Sequence, residues 1–134
     1  MLFSWSGSLE CELWTGGRGA LNQHLFRVTS STYPKWFYYF WIKHHLPTFR
    51  HIAAAKATTM GHIQRGHLTE ARVVLPQREL LQKATRHLDP LIEALIARRL
   101  QARNIECMRD LLVPKLISGA IEVHSVDALL HDPA

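Results

Sequence analysis

The stretch from Leu91 to Leu112 constrains this chain more than any other. Leu91, Ile92, Leu95 and Ile96 form one apolar stripe at helical spacing, and Ile105, Met108, Leu111 and Leu112 form another. Arg98, Arg99, Arg103 and Asn104 fall between them. Asp89-Pro90 is a helix start, with Asp as N-cap and Pro in the first turn. Pro114 ends or kinks the helix, and Ser118-Gly119 closes the segment. From Leu91 to Leu112 such a helix is about 33 Å long, more than a small preceding domain can cover. Part of the stripe therefore needs another helix, from a partner or a second copy. The stripes break strict heptad order, so the pairing is expected to be coiled-coil-like rather than a regular zipper.

The preceding residues read as a small α+β unit. Leu2 to Ser6, Leu9 to Trp14 and Asn22 to Val28 read as strands, with turns at Gly7-Ser8 and Gly16-Gly17-Arg18-Gly19. Ser30-Ser31-Thr32 before Pro34 starts a helix that Pro47 is expected to interrupt at about Leu46. A second short helix follows through Phe49 to Ala55. Lys56 to His67 is polar, holds two glycines and lacks a helical stripe, which predicts a loop with a short extended piece. Ala71 to Leu75 predicts a strand, and Pro76 opens a helix to about Leu88.

The formal charge of +5 is unevenly placed. Residues 1–88 hold 11 Lys and Arg against 4 Glu, a balance of +7, and residues 89–134 hold 5 against 7 acids, a balance of −2. No carboxylate occurs between Glu12 and Glu70, a stretch carrying Arg18, Arg27, Lys35, Lys43, Arg50, Lys56 and Arg65 with six histidines. A solvated face ordinarily mixes both signs. A long acid-free basic segment suits a polyanion, because carboxylates beside phosphate cost Coulomb energy.

Several classes find little support. No apolar run approaches the roughly 20 residues that cross a bilayer, and no signal sequence leads the chain, so a soluble, cytoplasmic protein is expected. Cys11 and Cys107 show no Cys-x-x-Cys spacing and are expected to be reduced thiols. There is no Gly-rich strand-to-helix loop for a nucleotide or methyl donor, and no Gly-x-x-x-x-Gly-Lys loop. The basic segment lacks carboxylates to hold catalytic metal ions. His62 and His67, or His44, His45 and His51, have no cysteine or carboxylate neighbours to complete a zinc site. No enzyme, cofactor or metal is expected.

The Lys56–His67 segment is the leading candidate for contact with DNA. Thr58, Thr59 and Gln64 carry hydroxyl and amide groups able to read base edges, and Gly61 allows close backbone approach. Lys56 and Arg65 supply charge, His62 lies among them, and Arg18 in its glycine turn can reach phosphate. Each also fits an ordinary solvated loop. Ser4, Ser6 and Gln23 either join that surface or satisfy local hydrogen bonds. The run Trp36 to Trp41 offers stacking surface, but on a helix it points in all directions, so most of it is expected in the core. Glu93 and Glu106 on the long helix read as a solvated face.

Three sets of residues carry a family resemblance. They are Leu2-Phe-Ser-Trp-Ser-Gly-Ser-Leu-Glu10 with Gly19-Ala-Leu-Asn-Gln-His-Leu-Phe-Arg-Val28, then Lys56-Ala-Thr-Thr-Met-Gly-His-Ile63, then Leu111-Leu-Val-Pro-Lys-Leu-Ile-Ser-Gly119. Together, in this order, they resemble the specificity subunit of type I restriction–modification systems. The resemblance implies a target-recognition domain that reads half of a split site in double-stranded DNA. It also implies a helix that packs antiparallel on its counterpart as a ruler. Methyltransferase subunits would dock around this frame and the restriction subunit would join them. In that family a substantial portion precedes the Leu2 strand, whereas Met1 stands directly before it here. The chain is therefore expected to be a truncated recognition domain at residues 1–76, a helical dimerisation and spacer region at 77–123, and a loose tail at 124–134. Leu91, Leu95, Ile105, Met108 and Leu112 are the expected interface residues. The other half of the specificity subunit, or a second copy, is the expected helix partner. The alternative is a remnant that serves only as a helical interaction module.

Overall fold

The computed structural model describes residues 1–55 and 61–122. The expected α+β class is what it shows: a small antiparallel sheet, then helices, the last of them long. The elements are β1 (Leu2–Ser4), β2 (Cys11–Glu12), β3 (Leu25–Arg27), α1 (Lys35–Ala55), α2 (Arg65–Glu70) and α3 (Arg78–Ile117). Two compact units divide the chain, Met1–Ile96 and Ala97–Ala134.

In the first unit β1 is the central strand, with order β2-β1-β3. Phe3 faces Cys11 on one side and Phe26 on the other, while Leu2 pairs with Glu12 and Arg27. Alternation sends Phe3 and Cys11 to the same face. That face is covered by α1, where Tyr39, Leu46, Phe49 and Ala53 recur at helical spacing and are buried with Phe3, Leu9, Cys11, Leu13 and Ile63. Phe3 and Phe49 meet with ring centroids 6.2 Å apart. Of the aromatic run, Phe37 and Tyr39 are buried and Phe40 is half exposed.

Pro47 does not interrupt α1, contrary to the expectation of two shorter helices; it lies inside one helix of 21 residues. Pro47 is exposed, while Leu46 just before it and Phe49 and Ala53 after it are buried. Burying a large apolar side chain is worth roughly 1.5–3 kcal/mol. Anchors on both sides thus offset the cost of about 3 kcal/mol that an internal proline imposes.

The same correction applies to α3. Two helices meeting at Asp89-Pro90 are replaced by one of 40 residues that runs through Pro90 and Pro114. Leu81, Ala84, Leu88, Ile92 and Ile96 form its less exposed face at three- and four-residue spacing, and Ile92 is in the core. That burial, two residues beyond the exposed Pro90, holds the helix across the missing N–H. The Trp36 indole donates to the Thr85 hydroxyl at 3.1 Å, and Lys35 pairs with Glu93 at 2.9 Å. Glu93 is therefore an ion-pair partner as well as an exposed residue.

Ala71 to Leu75 forms no strand. The segment has no ladder partner among the described residues, and Val73, Val74 and Leu75 are exposed. It is tethered instead by the His45 ring against the Arg72 carbonyl at 2.9 Å.

In the second unit every side chain from Leu100 to Ala120 is exposed. The helix ends as Ser118-Gly119 suggests. Gly119 N–H donates to the Leu116 carbonyl at 3.2 Å and Ala120 N–H to that of Lys115 at 2.9 Å. This is the paired-bond pattern that satisfies terminal carbonyls. The apolar stripe of Ile105, Met108 and Leu112 carries exposures of 66%, 60% and 38%, so nothing described in this unit covers it.

Candidate nucleic-acid interface

The residues expected to touch DNA fall into two places. Residues 61–63 run extended beside the end of β1: Gly7 N–H donates to the Gly61 carbonyl and Ile63 N–H to that of Trp5, both at 3.0 Å. Ile63 plugs into the core, and the alternating His62 side chain is exposed. A side-chain carbon at Gly61 would lie 2.7 Å from the Ala53 carbonyl oxygen. Glycine is required there for close packing on α1, a local reason independent of any ligand.

A short helix then begins inside the expected loop. Gln64 N–H donates to His67 Nδ1 and His67 N–H to the Gln64 carbonyl, both at 3.1 Å. This reciprocal turn starts α2, and it leaves Gln64 and Arg65 exposed on one rim of a groove of about 390 Å³. Its other walls are Trp5, Gln23, Phe26, His62, Ile63 and Leu68. The structure thus brings Gln64, Arg65 and His62 together with Gln23. Lys56, Thr58 and Thr59 lie outside the described residues, as does the 124–134 tail.

The groove floor is aromatic and its rim polar. The Trp5 ring lies 5.5 Å from His24, 6.3 Å from Phe26 and 6.2 Å from His62, edge-on to the last. Its Nε1 donates to the Gln23 carbonyl at 3.3 Å. Asn22 Oδ1 accepts from His24 N–H at 2.9 Å, a local turn that fixes Gln23 at the corner. His24 Nδ1 is enclosed and has no hydrogen-bond partner. Sequence reading missed the Trp5–His24 corner, since only tertiary pairing carries residues 61–63 to β1.

Charge separates these residues further. Three cations of the acid-free stretch are neutralised by carboxylates from outside it. Lys35 pairs with Glu93 at 2.9 Å, Lys43 with Glu12 at 3.8 Å, and Arg50 with Glu10 at 2.6 Å. Arg50 also donates through Nε to the Ser8 and Leu9 carbonyls. Arg18, Arg27 and Arg65 are exposed and make no ion pair among the described residues. Arg18 lines a different groove, with Trp14 and Arg27.

Neither cysteine lies in this groove. Cys11 is fully buried, and burial pushes its thiol up to about 11, so it stays protonated at neutral pH. Cys107 is free and exposed. No helix among the described residues is long and apolar enough to cross a membrane.

The fold and groove define a small α+β unit with an aromatic-floored, polar-rimmed basic site, continued by an exposed apolar helix. The chain is similar to the specificity subunit of the type I restriction enzyme MjaIX from Methanocaldococcus jannaschii, at 27% identity over 75 residues. The match takes in 56% of this chain and 17% of that protein, so the chain spans only a small part of that relative's length. No family model matches the chain, and no solved structure gives a significant match.

Proposed function

We propose that this chain is a DNA-recognition element of a type I restriction–modification specificity subunit and directs chemistry performed by other subunits. The observation that carries this reading is the groove itself. It gathers Gln64, Arg65, His62 and Gln23, residues able to match base edges and phosphates, on a framework in which Lys35, Lys43 and Arg50 are paired with carboxylates. Similarity to a specificity subunit supports it independently. On this reading residues 1–76 contact one half of a split site. Residues 77–123 set the spacing and seat the methyltransferase subunits, with Leu91, Leu95, Ile105, Met108 and Leu112 on the pairing surface.

The test is selection from a randomised duplex library by the chain assembled with its methyltransferase subunits. Gln64→Ala and His62→Ala are expected to change the preferred bases, by about 1–3 kcal/mol at one position. Arg65→Ala should weaken all sequences alike. Unchanged preferences in the first two would refute base reading by this groove.

A second reading, an interaction helix without DNA specificity, is favoured by the exposed apolar side chains of residues 100–117. It predicts assembly with methyltransferase subunits and no selection from the library.

A further inference from the structure

The sheet has a second face, turned away from α1. Leu2 and Arg27 are paired partners and Leu25 lies two residues along β3, so all three project to the side opposite Phe3. Above them passes the turn after β2, and the two enclose a groove of about 840 Å³ whose walls include Trp14, Gly17, Arg18 and Leu21. Among the described residues, none that lines it is acidic.

Trp14 is built into this groove in an unusual way. Its Nε1 donates to the Gly17 carbonyl at 2.8 Å, so the ring needs no further polar partner. A side-chain carbon at Gly16 would overlap three adjacent indole carbons, Cε2, Cζ2 and Cη2. Near-equal approach to three neighbouring ring atoms comes from above the ring, so Gly16 backbone covers one face. The residue is nevertheless 56% exposed, so much of the indole remains open to solvent. Beside it stand Arg18 and Arg27, both exposed and without a carboxylate partner among the described residues.

A largely exposed indole beside two guanidinium groups that are unpaired among the described residues fits one ligand chemistry well. A nucleobase can stack on the indole while its flanking phosphates meet the arginines. A base inside a duplex has both faces covered by its neighbours, so only an unpaired base can stack there. We infer that the Trp14 groove is a single-strand nucleic-acid site, with Trp14 as stacking platform and Arg18 and Arg27 as phosphate ligands. The inference rests on the nucleic-acid reading above but uses residues separate from the Gln64–Arg65 groove.

The experiment uses the full chain, a labelled deca-thymidine strand and a blunt labelled duplex, with binding read by anisotropy across a salt series. Trp14→Ala is expected to weaken the single strand about 5- to 140-fold, the range for one lost stacking contact, while Trp14→Phe keeps most of the affinity. Arg18→Gln and Arg27→Gln should each reduce the single-strand salt slope by about 0.7. Blunt-duplex binding should survive Trp14→Ala and fall with Arg65→Gln. Should Trp14→Ala misfold, quenching of tryptophan fluorescence by the strand, lost in Trp14→Phe, reads the same contact. Duplex binding without single-strand binding, or equal single-strand affinity and quenching across the Trp14 variants, overturns this site alone. Failure to bind either nucleic acid overturns the broader reading as well.

Discussion

Exchanging Arg50 and Arg65 for glutamine, one at a time, tests how the fold divides its positive charge. Seven contacting cations in the acid-free stretch would give a duplex-binding salt slope near −6.3, at about 0.9 per phosphate. Pairing of Lys35, Lys43 and Arg50 lowers that ceiling to about −3.6. Arg65→Gln should therefore reduce the slope by about 0.9, with stability unchanged within ~0.5 kcal/mol, because the side chain is exposed. Arg50→Gln should do the reverse. It removes the Glu10 pair and two bonds to loop carbonyls, but the pair is about half exposed on both sides, which discounts it to about 1 kcal/mol. Its salt slope should not move. The assay is fluorescence anisotropy with a labelled duplex between 50 and about 200 mM salt, beside urea unfolding of each variant. Equal loss of slope in the two variants would refute the division of cations into clamps and contacts.

Three further outcomes follow from the packing. Ile92→Ala should cost about 2–5 kcal/mol in urea unfolding, since Ile92 is the buried α3 residue of the core, while Leu91→Ala one position away should stay within ~1 kcal/mol. On the proposed pairing role of α3, Leu95→Asp with Leu112→Asp should abolish self-association or docking to a methyltransferase subunit in sedimentation, with helix content retained, because a charge cannot stay unpaired where these exposed leucines would be buried. The Cys11 thiol, raised by burial from 9.0 to about 11, keeps its proton in the folded state where the unfolded chain loses it. Stability should thus fall as pH rises from about 9 toward 11, and Cys11→Ala should flatten that fall in urea midpoints.

The local signals that the sequence carries well are those whose cause is local. Alternation marked the three strand regions, and Ser118-Gly119 marked the end of α3, because each rests on neighbours within a turn. The prolines misled for the opposite reason. Pro47 and Pro90 impose a local cost that Leu46, Phe49 and Ile92 offset only through contacts with distant residues. Ala71 to Leu75 has strand composition, but a strand needs a ladder, and composition cannot supply a neighbour. The 91–96 stripe held two faces read as one. Ile92 and Ile96 turn to the core, while Leu91 and Leu95 remain exposed at 64% and 39%. In the site, Gln64 and Arg65 were legible by residue type. Their meeting with Trp5 and Gln23 was not, because it depends on backbone pairing between residues 61–63 and the end of β1.

Charge repeats the point at the level of function. Lys35, Lys43 and Arg50 all lie on α1, and their partners lie elsewhere: Glu93 on α3, Glu12 on β2, and Glu10 just ahead of it. These pairs hold α1 to the elements packed around it, so their positive charge is spent within the fold. Arg18, Arg27 and Arg65 lie on a turn, at a strand end and at the first residue of a short helix, where no described carboxylate reaches them. A polyanion approaching the first unit therefore meets unneutralised charge along these rims and much less along α1. On the proposed nucleic-acid reading, the acid-free window in the linear sequence overstates the number of cations available for contact, and Arg18, Arg27 and Arg65, which line the two grooves, are those left without a described carboxylate.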